Sequence, residues 1–65
     1  MLQHLNEEVK KHRISQRKLA KLLNLSTKTV NQKMQGKIEF KRTEMLEISK
    51  ILGKSMDFLF GEWDR

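Results

Sequence analysis

The chain has 65 residues, with 14 Lys and Arg against 8 Asp and Glu, for a net charge of +6 and a pI near 10.0. That length suits one small domain, residues 1–65, whose core is marginal by itself, so that dimerisation is a natural source of further stability. Cysteine is absent, which removes disulfides and thiolate metal sites; with no signal peptide and no long apolar run, the expectation is a soluble, cytoplasmic protein without a membrane partner. Proline is absent too, glycine occurs three times, and helical spacing recurs throughout, so an all-α fold is expected.

Leu2, Leu5 and Val9 fall at helical spacing and predict an amphipathic first helix over about residues 2–12, with Glu7, Glu8, Lys10 and Lys11 outward. His4 and His12 lie more than two turns apart, too far along the axis to share one ion, and no metal or other cofactor is expected. Ile14 precedes Ser15 where a hydrophobic staple packs, and Ser15 caps a second helix. Leu19, Leu22 and Leu23 supply that helix's apolar positions, and Ala20 is small enough for another helix to cross it closely.

Asn24-Leu25 forms the turn, since Asn tolerates left-handed backbone angles, and Ser26 caps a third helix with Val30 and Met34 buried on one side. A rotation of about 100° per residue then puts Lys28, Asn31, Gln32 and Gln35 on or near the opposite face. No acid occurs from Thr27 to Gln35. Lys, Asn, Gln and Thr are the side chains that match base edges, although a polar face meeting only water is the plainer alternative.

Gly36 stops the third helix, and residues 37–42 alternate in a way that a short strand would, but with no partner strand in view a loop pinned by Ile38 and Phe40 is preferred. Met45, Ile48 and Leu52 line a fourth helix from Thr43 to Leu52, ended by Gly53, and Ser55 caps a short fifth helix, Met56 to Phe60. Leu46, Ile51, Phe58 and Trp63 do not all fit the inward stripes. An exposed apolar patch near the end of the chain is the favoured reading, with Met56, Phe58 and Trp63 as a symmetric dimer interface.

The charge is unevenly spread. Residues 16–42 hold eight Lys and Arg against one acid, whereas residues 1–15 hold three against two and residues 43–65 three against five. The basic excess thus lies on the two central helices and the loop behind them, the footprint of a DNA face. Lys37, Lys41 and Arg42 are candidates for phosphate contacts, with a solvated charge cluster as the alternative for any one of them, and Arg17 and Lys33 join them from within the helical pair.

Gln16, the Leu19-Ala20 pair, Leu25, Val30, Gly36, Ile48-Ser49-x-x-Leu52-Gly53 and Ser55-Met56-Asp57-Phe58-Leu59-Phe60 stand together in a pattern that resembles the Cro and repressor-type, lambda-repressor-like helix-turn-helix family of phages and bacteria. The resemblance implies five helices with the third in the major groove, Gln16 on a phosphate, and Thr27, Lys28, Asn31 and Gln32 facing bases. It places the protein in a bacterial host cell or on its nucleoid. The chain departs from the pattern at Asn24, where Gly is common, and at Lys33, where an apolar residue is common and Met34 takes the packing role. Val9 and Met34 also stand where many relatives carry an ion pair.

The expected function is that of a Cro-like repressor holding a near-palindromic double-stranded DNA operator as a homodimer, with recognition helices about 34 Å apart. The alternative is an antitoxin or adaptor that uses the same fold to grip a protein. An enzyme is not expected, because no nucleophile-base pair, phosphate loop or metal cluster is present.

Overall fold

The computed structural model describes residues 2–61, which form five helices: α1 (Gln3–Lys11), α2 (Gln16–Leu23), α3 (Thr27–Met34), α4 (Arg42–Leu52) and α5 (Met56–Phe60). No strand occurs among the described residues, and the segment between α3 and α4 is a loop. Three of the helices start where a serine precedes apolar periodicity. Ser15, Ser26 and Ser55 each accept a hydrogen bond at 3.1 Å from the backbone N–H three residues on, satisfying donors that a first turn leaves without partners.

Four helices end on left-handed backbone: Arg13 (φ 56), Asn24 (φ 59), Gly36 (φ 83) and Gly53 (φ 67). In each case the next N–H reaches back five residues, as from Leu25 to the Ala20 carbonyl at 2.8 Å and from Lys37 to that of Gln32 at 2.9 Å. These bonds reverse the chain tightly and satisfy the last carbonyls of each helix. Arg13 is the position that composition does not foreshadow, since a long side chain there carries the steric cost that Gly avoids.

The ends fold the helices around one core. Leu2, Leu5 and Val9 at α1, Leu19 and Ala20 from α2, Val30 and Met34 from α3, Ile48 and Leu52 from α4, and Leu59 and Phe60 from α5 are all buried in one cluster. Phe40 joins it from the loop, meeting the Phe60 ring edge-on at 5.4 Å. Burying a Phe side chain contributes about 1.5–3 kcal/mol toward holding the loop against the core. Val9 and Met34 are both buried in this cluster.

Packing also overturns several expectations. Glu8 is buried, not outward, and its Oε1 has no hydrogen-bond partner, although Lys11 and His12 lie at 4.0 and 3.8 Å from the carboxylate. Leu22 is 48% exposed and Ile38 42%, so neither contributes to the core as the spacing suggests. Of the two apolar residues expected to pin the loop, Phe40 is buried and Ile38 is not. Ile51 packs against the core instead of joining an outer patch, and Met56 is half-buried against the same cluster. Phe58 keeps 41% exposure, but His4 stacks on its ring at 4.7 Å and donates from Nδ1 to its carbonyl at 3.1 Å. Trp63 lies outside the described residues.

Candidate nucleic-acid interface

The interface is built on α2, its turn and α3, the pair of helices that pack most extensively on one another. Buried Ala20, 3% exposed, allows their close approach, and left-handed Asn24 sends the chain directly from one into the other. Val30 and Met34 then anchor α3 inward. Thr27 and Lys28 stand exposed in its first turn, Asn31 and Gln32 are half-buried one turn on, and Gln35 is exposed at its end. The acid-free face thus points outward over most of the helix.

α3 is held at both ends. At its start Ser26 Oγ accepts from the Thr29 N–H and donates to Thr29 Oγ1 at 2.8 Å. At its end Asn6 of α1 donates to the Met34 carbonyl at 3.5 Å, a long and weak bond. Between them Asn31 donates from Nδ2 to Gln16 Oε1 at 3.0 Å. A residue expected at bases and one expected at a phosphate therefore meet, and the bond orients both side chains in the free protein.

Lys33 does not belong among the phosphate contacts. It is 4% exposed, and its ammonium donates to Glu44 Oε1 at 2.5 Å in the first turn of α4. The same oxygen accepts from the Lys41 N–H at 2.9 Å, so that Glu44 caps α4 while binding Lys33. Burial pushes the Glu44 carboxyl up. The Lys33 hydrogen bond, the Lys41 N–H and the charges of both lysines outweigh that, and it titrates below its ordinary value. Sequence reasoning misses Glu44. Its one signal is a Glu three residues into a helix start, the position from which a carboxylate reaches back to the cap.

With Lys33 internal, seven cations between residues 16 and 42 remain exposed: Arg17, Lys18, Lys21, Lys28, Lys37, Lys41 and Arg42. Arg17, Lys18 and Lys21 line one concavity of about 360 Å³ with Ser15. Lys18 and Lys21 are not among the expected phosphate contacts. Among the described residues, no group of three His, Cys, Asp or Glu could hold a metal ion, and no helix is long and apolar enough to cross a membrane.

Two short helices locked around a left-handed turn, with polar amides and hydroxyls on the outer side of the second, are the architecture of a helix-turn-helix DNA-binding domain. The sequence comparison agrees with the geometry. The chain belongs to the helix-turn-helix family of the XRE and Cro type, whose profile matches residues 5–59, and domains of this family are regulatory DNA-binding modules rather than catalysts. Comparisons with curated proteins and with solved structures gave no match.

Proposed function

We propose that the protein is a sequence-specific transcriptional regulator, a Cro-like repressor that occupies a near-palindromic operator as a dimer. The observation that carries this reading is the acid-free outer face of α3, which includes Lys28, together with six further exposed cations on α2 and the residues that follow α3. Lys28 and Gln32 read base edges, Thr27 reads an edge or a thymine methyl, and Asn31 does so while bridging to Gln16. Gln16, Arg17, Lys37, Lys41 and Arg42 bind phosphates, which orient the domain without reading sequence. Two copies, joined through the α5 end around Met56 and Phe58, present their α3 helices to successive major grooves.

Selection of bound duplexes from a random pool tests the whole reading. The expected product is a motif with two half-sites about one helical turn apart. Lys28→Ala or Gln32→Ala then relaxes preference at one or two positions and costs about 1–3 kcal/mol each. Replacing Lys41 and Arg42 with Ala weakens binding to all duplexes alike and lowers the salt slope by about 0.9 per lost phosphate contact. A pool without enrichment, or unchanged preference in the Lys28 and Gln32 variants, overturns it.

A further inference from the structure

The buried Lys33–Glu44 pair sits where the base-reading and phosphate-binding parts of the protein join. Lys33 is in the last turn of α3 and Glu44 in the first turn of α4, so the bond closes the loop that carries Lys37 and Lys41 and ends at Arg42. Two donors, the Lys33 ammonium and the Lys41 N–H, converge on one oxygen, so one carboxylate joins the end of the recognition helix to the end of the loop. Lys33 Nζ also lies 5.8 Å from the centre of the Phe40 ring, the loop's buried anchor. At the other end of the loop, the Lys37 N–H is bound to the Gln32 carbonyl. The backbone is thereby tied at both ends while Lys37, Lys41 and Arg42 stay exposed.

Stability alone does not account for such a pair, because apolar side chains of similar volume commonly hold a buried site as well or better. An ion pair with a shared acceptor adds directionality, since it is satisfied at one separation of the two helices. We infer that Lys33 and Glu44 are positioning residues for DNA recognition, holding the phosphate-binding loop in register with the base-reading face of α3. The inference rests on the DNA-binding reading above. Its consequence is selective: matched DNA requires base and phosphate contacts together, and a tied loop forms both with less loss of freedom. Unmatched DNA needs phosphate contacts alone and tolerates a loose loop.

The test is the Lys33→Met/Glu44→Gln double variant, in which no charge is left buried alone and the introduced amide oxygen can still accept from the Lys41 N–H. Affinity is measured for the selected duplex and a scrambled one at the same salt, and amide exchange is followed in the free protein. The expected result is about a tenfold loss on the selected duplex, less than about twofold on the scrambled one, and faster exchange confined to residues 37–42. Lys33→Gln/Glu44→Gln, which replaces the ion pair by a neutral amide hydrogen bond and likewise leaves no charge buried alone, should lie between this variant and wild type and serves if the double variant does not fold. An unchanged ratio of the two affinities, or loop amides that exchange as in wild type, overturns the inference. Wild-type protein that does not distinguish the duplexes overturns the DNA reading itself, and the inference with it.

Discussion

α1 and α3 are similar in length and both bury an ionisable residue, yet they treat their polar groups in opposite ways. α3 begins with a serine cap, carries Lys33 against Glu44 and gives way to a glycine in the left-handed conformation. α1 begins at Leu2 without a side-chain cap, buries a Glu8 oxygen without a hydrogen bond and ends through a left-handed arginine. The buried charge of α3 is thus paired, and that of α1 is left with an unmet oxygen. The unmet hydrogen bond of Glu8 and the left-handed Arg13 lie on α1 and its end, whereas the left-handed residue at the start of α3 is Asn24, which tolerates that conformation better.

Removing one member of the satisfied pair should have the largest effect. Glu44→Leu leaves the Lys33 ammonium buried without a partner and should cost about 3–5 kcal/mol in urea unfolding, most of it recovered in Lys33→Met/Glu44→Leu. If the single variant loses less than the cost of a helix cap, about 1 kcal/mol, the pair is not as sequestered as its geometry shows. The same operation on α1 should have the reverse sign. Glu8→Met removes a carboxyl with an unmet oxygen and should raise stability by about 1–2 kcal/mol, seen as a higher melting temperature. A destabilised Glu8→Met would mean that Lys11 and His12 compensate the carboxylate fully, and the contrast between the helices would collapse.

The helix ends provide a smaller contrast. Arg13→Gly should gain up to about 1 kcal/mol by relieving left-handed strain, while Gly36→Ala should lose about 1 kcal/mol for the same reason, since no atom stands within 4 Å of the added methyl. Chemical denaturation of both variants would show opposite shifts in midpoint. Acid is the mildest perturbation. Because the folded Glu44 carboxyl titrates below its ordinary value of 4.5, its contribution is complete above that pH and fades as pH falls through the lowered folded value. Wild type should accordingly lose its stability advantage over Glu44→Gln on acidification below about pH 4.5, as read from urea midpoints across a pH series. An advantage independent of pH would show that the carboxylate charge is not what stabilises the seam.

Much of the local structure could be read from the chain. The three serine caps, the left-handed Asn24, Gly36 and Gly53, and the order of the five helices depend on side chains within a few residues of where they act. The outer face of α3 is legible for the same reason, because Val30 and Met34 orient the helix and the remaining positions follow from its period. Lys33 is the exception. A helical period marks it as adjoining the buried stripe, but only the arrival of Glu44 from α4 makes it possible to bury an ammonium there.

The same distinction applies throughout the molecule. Sequence alone determined the helix starts at Ser15, Ser26 and Ser55, the helix ends at Asn24, Gly36 and Gly53, the turn that joins α2 to α3, and where positive charge accumulates, since propensity, capping and charge are properties of neighbours along the chain. Tertiary structure decided that Glu8 and Lys33 go inside, that Leu22 and Ile38 stay out, that His4 covers Phe58, and that Asn31 meets Gln16. Each of these depends on which helix crosses which, and at what separation. A hydrophobic pattern specifies a buried stripe, whereas the partner that arrives at its edge determines whether a charge there can be satisfied.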